Sequence, residues 1–224
     1  MKPKMICFMG LDGSGKSTSI ECAYQYLKES GCRVEIVRAA YVIRYMRPLI
    51  RLGKKLLMKR DSDPYAGDYK AYLQKMREQA KKKGVYSLFS AITTAEFKLQ
   101  IFFSITLKRL CGITLLVDRY VYDNVVTYAA NLGLEEGYIQ QTMEHKWKRA
   151  PRPDLLIYIK TPVDVCCSRK DDIPDPLYLE IREPLYDKVA ALYGATVISG
   201  ADSMQNMTQN VICAVENCVN ECKR

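Results

Sequence analysis

Lys4-Met5-Ile6-Cys7-Phe8-Met9-Gly10-Leu11-Asp12-Gly13-Ser14-Gly15-Lys16-Ser17-Thr18 is the stretch that decides the fold. Lys4–Met9 is a short apolar run that stops at a glycine, the pattern of a buried strand. Gly10–Thr18 fits the spacing G-x-x-x-x-G-K-[ST]. From Ser17 to about Ser30 the composition is helical, and Gly31 stands at a C-cap position. Strand, glycine loop and helix in that order is the context in which such a loop binds phosphate. The glycines let several backbone N–H groups turn inward on phosphate oxygens, and the helix offers its positive end to the same anion. Lys16 would reach the β- and γ-phosphates, and the Ser17 hydroxyl would ligate Mg²⁺. The expected nucleotide-binding set is therefore Gly10, Asp12, Gly13, Ser14, Gly15, Lys16, Ser17 and Thr18. The motif alone leaves a kinase, a GTPase and a motor open.

Four further strands are expected, at Arg33–Arg38, Ile113–Val117, Leu155–Ile159 and Ala195–Ile198. Helical patterns cover about 65–83, 86–110, 121–131, 135–148, 162–169, 175–192 and 203–222. This alternation predicts an α/β fold with a parallel sheet covered on both faces. Leu115-Leu116-Val117-Asp118-Arg119-Tyr120 puts an acid at the C-terminal end of a buried strand, the edge that faces the ligand crevice in an open sheet. Asp118 there can hold Mg²⁺ through water, or cap the next helix. Arg119 can direct a fixed cation at a second anion, or pair with a surface acid. No Asn-Lys-x-Asp guanine-reading motif is present, which argues against a GTPase.

The chain has 224 residues, 48% hydrophobic and 26% charged, enough for one domain with a sizeable core. That composition excludes a disulfide miniprotein, a collagen-like chain and a disordered tail. No apolar run approaches the ~18 residues of a membrane span, and no signal peptide is read at the N-terminus. Nine cysteines, odd in number and irregularly spaced, fit reduced thiols in the cytoplasm. Cys213, Cys218 and Cys222 have no histidine near them and read as packing thiols. His145, the single histidine, lies in a charged helical stretch and is expected at the surface. The net charge of +9 comes entirely from residues 44–83, where thirteen basic residues meet four acidic ones. A nucleic-acid-binding body more often spreads its charge over a face, so no nucleic-acid partner is expected. Within 41–60, Arg44, Arg47, Arg51, Lys54 and Lys55 share one helix face. Three readings stand: a solvated face, a membrane-surface helix, or a cationic rim for a larger phosphorylated substrate.

Gly10–Thr18, Asp118-Arg119-Tyr120, Pro153-Asp154-Leu155-Leu156-Ile157-Tyr158, Arg169 and Leu179-Glu180-Ile181-Arg182-x-x-x-Tyr186, in that order, resemble the thymidylate kinase family. The resemblance implies a P-loop NTPase fold with a five-stranded parallel sheet sandwiched by helices. It also implies a lid at about 168–176. The basic helical insertion at about 41–83 is a departure from the family, and the sequence leaves open whether the chain forms a homodimer. The implied reaction moves the ATP γ-phosphoryl to a nucleoside monophosphate, dTMP by default. Lys16 and Ser17 would take the donor phosphates and Mg²⁺, and Asp118 would support the metal. Asp12 would approach the acceptor sugar hydroxyl, and Arg119 would grip the acceptor phosphate. Some members carry an arginine at the position of Gly13. Forms without it place cations in the lid, here Arg169 and Lys170. Ala201, within Ser199-Gly200-Ala201-Asp202, would lie by the adenine. Arg38, Phe97, Tyr120 and Tyr128 complete the implied acceptor side.

The chain departs from the family where the base is read. Val37-Arg38-Ala39-Ala40 stands where Thr-Arg-Glu-Pro is common, and Glu96-Phe97-Lys98-Leu99-Gln100 where Asp-Arg-x-x-His is common. Asp123 replaces a serine, and Thr127-Tyr128-Ala129 replaces Ala-Tyr-Gln. The donor half is kept and the base-reading half is rewritten. A sugar-phosphate, glycan or lipid-linked acceptor, or a nucleotide-dependent membrane-binding module, therefore stays open beside the nucleotide kinase reading.

Overall fold

The computed structural model describes residues 3–40, 68–81, 83–134 and 136–220. The expected basic helix at 42–59, and with it the membrane-surface reading of 41–60, lies outside them. Five strands form one sheet: β1 (Met5–Met9), β2 (Val34–Arg38), β3 (Thr114–Asp118), β4 (Leu155–Lys160) and β5 (Thr196–Ser199). Their order is β2-β3-β1-β4-β5 and every neighbouring pair is parallel. β1 lies in the middle with both faces covered, and all five of its residues are buried. This is why it reads as continuous apolar sequence rather than as an alternation.

The side chains of β1 still alternate between two cores. Met5, Cys7 and Met9 join Leu115, Val117 and Tyr158 on one face. Ile6 and Phe8 join Leu116, Ile157 and Ile159 on the other. That second face is covered by α1 (Lys16–Glu29) through Ile20, Ala23 and Leu27. The last helix described, here α9 (Met204–Asn220), joins it through Met207, Val211, Val215 and Val219. The apolar residues of both helices recur at three and four positions, which gives each a stripe facing the sheet.

The first face carries the other helices. α2 (Tyr69–Ala80) precedes α3 (Lys83–Ile101), which continues through a π turn (Phe102–Thr106) into a final α-turn (Leu107–Leu110). Phe97, Ile101 and Ile105, four apart, stay buried along it. α4 (Val121–Leu132) and α5 (Glu136–His145) follow β3. α6 (Val163–Arg169), α7 (Pro176–Glu180) and α8 (Glu183–Tyr193) lie between β4 and β5. The single helix expected over 175–192 is two. Pro184, near the start of α8, has no N–H to donate back to Glu180, so the helix breaks and restarts there. His145 is exposed, as its charged neighbours imply, whereas Trp147 is 4% exposed and packs edge-on to Phe97 at 5.3 Å. The cysteines among the described residues are all free thiols. No helix among the described residues is long and apolar enough to cross a membrane.

Candidate active site

The strands end together on one edge. Phe8 of β1 and Arg38 of β2 both stand opposite Asp118 of β3. An open cleft of about 410 Å³ lies beyond that edge, lined by Asp12–Thr18, Arg38, Asp118, Arg119, Arg169 and Lys170. Most of the residues that sequence reasoning assigned to phosphate, metal and lid chemistry are thus brought to one place.

The glycine loop is held from outside as much as from within. Gly13 has φ +84°, and a Cβ there would come 2.6 Å from the Cys166 carbonyl oxygen of α6. A side chain cannot occupy this position while α6 sits where it does, which fits the absence of an arginine from the loop. Thr161, just after β4, donates its hydroxyl to the Ser14 carbonyl at 3.0 Å. Gly200, after β5, closes the same corner: a Cβ on it would meet Thr161 Oγ1 at 2.1 Å and Ser14 O at 2.4 Å. No local pattern marked Thr161 as a brace.

Lys16 is 7% exposed and turned back onto the loop. Its Nζ donates to the carbonyls of Gly10 at 3.0 Å and Leu11 at 2.5 Å. Burial, and then the Arg119 cation, push its pKa down to about 8, against the pull of Asp12, Asp123 and Asp118. Ser17 and Thr18 are exposed in the first turn of α1, at the positive end of the helix.

Arg119 is the one non-glycine residue with positive φ among the described residues, at +60°. Its N–H still donates to Phe8 O at 3.3 Å, so the strand pairing runs up to the point where the backbone turns. The left-handed turn directs the guanidinium back over the loop, where it bonds Asp12 and lies 3.6 Å from Asp123. Burial opposes its charge, but Tyr186, Asp123, Asp12 and Tyr178 around it outweigh that and raise its pKa. Burial likewise resists ionisation of Asp12. The Arg119, Lys16 and Lys170 cations and the Tyr178 hydroxyl reverse this and hold its carboxyl below the usual range. Asp123, 4% exposed, accepts from Tyr186 Oη at 2.7 Å and from the Tyr120 N–H at 3.1 Å. Its burial pushes the carboxyl up in spite of those donors and Arg119. Sequence reasoning noticed Asp123 only as a departure; its place four residues after Arg119 was the available signal.

Arg169, the last residue of α6, donates to Gly200 O at 2.8 Å, and Lys170 pairs with Asp172 at 3.1 Å. Both cations line the cleft. Ser17 and Asp118 both line it, and a hydroxyl and a carboxylate make a hard oxygen set that suits Mg²⁺. Among the described residues no group of three or more His, Cys, Asp or Glu could hold a metal alone. Mg²⁺ in nucleotide sites fits that pattern, since it takes few protein ligands and completes its shell with phosphate and water.

Five predicted residues do not line this cleft; one, Gly10, gives its carbonyl to Lys16 Nζ instead. Phe97 is 2% exposed against Trp147 and shares a small cavity of about 50 Å³ with Arg38 and Gln100. Tyr120 is buried and donates its hydroxyl to Pro151 O at 2.9 Å. Tyr128 is half-buried with Lys146 Nζ 5.5 Å above its ring. Ala201 is exposed beyond β5, beside Ser199 and Asp202, which hydrogen-bond each other at 2.8 Å.

The chain is 23% identical over 231 residues to a probable thymidylate kinase of Sulfurisphaera tokodaii, an alignment covering 96% of this chain and 99% of that protein. No family model matches it. The kinship is with a P-loop kinase, and it is distant.

Proposed function

We propose that this protein is a Mg²⁺-ATP-dependent phosphotransferase that passes the γ-phosphoryl group to a nucleoside monophosphate, with dTMP the first acceptor to test. One observation carries the reading. A phosphate-binding loop with its lysine, and a fixed arginine–carboxylate pair, Arg119 and Asp12, face the same cleft. A protein that only bound or hydrolysed ATP would need the first and not the second. The name of the Sulfurisphaera tokodaii relative, a probable thymidylate kinase, supports dTMP as the default acceptor.

Phosphoryl transfer asks the protein to align two polyanions and to neutralise charge as it develops. The loop N–H groups and Lys16 hold the donor β- and γ-phosphates. Arg119 grips the acceptor phosphate, and Asp12 accepts from an acceptor sugar hydroxyl. An oxygen of the acceptor phosphate attacks the γ-phosphorus, the bond to the β–γ bridging oxygen breaks, and ADP leaves. Arg169 and Lys170 supply lid cations to the equatorial oxygens, and closure of their loop excludes water. Mg²⁺, which Ser17 and Asp118 would hold, adds charge neutralisation on the donor phosphates. The rewritten positions around Arg38 and Phe97 favour a second reading, the same donor chemistry toward a sugar-phosphate or lipid-linked acceptor.

ADP release with Mg²⁺-ATP and dTMP, dUMP, UMP, CMP, AMP or GMP singly tests the proposal. Stimulation by one or two pyrimidine nucleotides, abolished in Lys16→Ala and Arg119→Ala, is the expected result. ATP binding with no stimulation by any of the six refutes the nucleotide acceptor and directs the search to the second reading.

A further inference from the structure

Arg182 is 4% exposed and stands where α7 gives way to α8. Among the described residues no carboxylate pairs with it. A buried cation without a counter-ion is costly unless its hydrogen bonds are well made. Here NH2 donates to Asn131 Oδ1 of α4 at 2.9 Å, and NH1 donates to Tyr69 Oη of α2 at 2.9 Å and to Tyr178 O at 2.8 Å. Nε has no partner. The guanidinium carbon lies 3.7 Å above the centre of the Tyr178 ring. The Tyr69 ring meets that same ring edge-on at 5.6 Å. Tyr178 is therefore gripped by a cation and by a second aromatic ring. Its hydroxyl donates to Asp12 Oδ2 at 3.1 Å.

Tyr178 belongs to a helix of five residues, too short to hold its own orientation. Its aim at the glycine loop must come from what packs on the ring. We propose that Arg182 is a positioning residue: it clamps Tyr178 so that the tyrosine hydroxyl holds Asp12 against Arg119, and through Tyr69 it ties helix α2 to the same clamp. The role rests on the reading that Asp12 and Arg119 face the acceptor. The charged and titratable groups around Asp12 are Arg119 from the β3–α4 turn, Lys16 from α1, Lys170 from the lid loop and Tyr178 from α7. Among the described residues, Tyr178 links Asp12 to Arg182.

The test is the ¹³C carboxyl resonance of Asp12 at pH 7, assigned by its loss in Asp12→Asn. Arg182→Lys, Tyr69→Phe and Tyr178→Phe are each expected to move it. In a Tyr178→Phe background, Arg182→Lys is expected to add nothing, because its effect on Asp12 runs through the Tyr178 hydroxyl that this background lacks. A folded Arg182→Lys variant with an unmoved resonance overturns the proposal, as does a shift of equal size in both backgrounds. Should Arg182→Lys fail to fold, Tyr69→Phe, which deletes one acceptor oxygen, decides the matter by the same two criteria. In turnover with the acceptor, kcat/KM is expected to fall about tenfold in Arg182→Lys, the scale of a lost hydrogen bond to a charged group. ATP affinity is expected to stay within about twofold in the same variant. If wild-type protein turns over no acceptor, the acceptor reading fails by itself; the resonance, which needs no turnover, still decides whether Arg182 positions Asp12.

Discussion

Raising the pH should weaken ATP binding by a mechanism that the buried lysine makes quantitative. Lys16 has a pKa of about 8 in the folded protein, set by burial and by the Arg119 cation, against an ordinary lysine value of 10.5. The folded pKa lies below the unfolded one, so between about 8 and 10.5 the native state binds fewer protons, and Lys16 costs less stability as pH rises through that window. The gap corresponds to about 3 kcal/mol of penalty for keeping the ammonium charged below pH 8. Phosphate oxygens beside Nζ restore the ordinary value or exceed it, so binding above pH 8 requires proton uptake. With a free pKa near 8, about 0.1 proton should be taken up at pH 7 and about 0.9 at pH 9, and affinity should fall up to tenfold per pH unit above 8. Titration calorimetry with Mg²⁺-ATP, in paired buffers of different ionisation enthalpy, measures both quantities. Lys16→Arg, which keeps its charge throughout, should bind without the pH dependence. Proton-neutral, pH-independent binding by the wild type from pH 7 to 9.5 would refute the argument.

Three further outcomes are expected. Gly200→Ala places a methyl against Thr161 Oγ1 and the Ser14 carbonyl. It should weaken ATP binding at least tenfold and cost about 1–3 kcal/mol by urea unfolding, since the loop backbone must yield. Arg119→Lys keeps the charge and loses the planar fork that reaches Asp12 and Asp123. Acceptor kcat/KM should drop by about ten- to a hundredfold while ATP affinity is preserved, measured by initial rates. Ile157→Ala, at a fully buried position of β4, should destabilise by about 2–5 kcal/mol in chemical denaturation, with ATP affinity of the folded fraction unchanged.

The sheet was legible because buried parallel strands leave a coarse trace. β1, β3 and β4 are apolar runs closed by Gly10, Asp118 and Lys160, and their expected limits fall within a residue or so of the observed ones. The glycine loop was legible because its geometry demands residue types that few other purposes demand. The helical break before α8 was harder to see, since Leu179 and Tyr186 carry an apolar stripe across it and a proline early in a helix is tolerated. Asp118 and Arg119 could be placed at the strand edge, but not the left-handed backbone that aims Arg119. Arg182 was noticed only as part of a family motif, and Tyr178 and Asn131 not at all. Their meeting depends on three helices packing side by side, and no local pattern encodes such contacts. Phe97, matched to the acceptor side by position, turns its ring onto Trp147, a partner fifty residues away.

The left-handed backbone at Arg119 also bears on how this site can decay. A bulky residue at φ +60° costs on the order of 1 kcal/mol, which glycine would relieve. The same change would leave the Asp12 and buried Asp123 carboxylates without the Arg119 cation, a loss of about 3 kcal/mol or more. The strain is therefore retained by the carboxylates as much as by the chemistry. A lineage that stopped using the reaction should change position 119 only together with position 123, so the two codons would be lost as a pair.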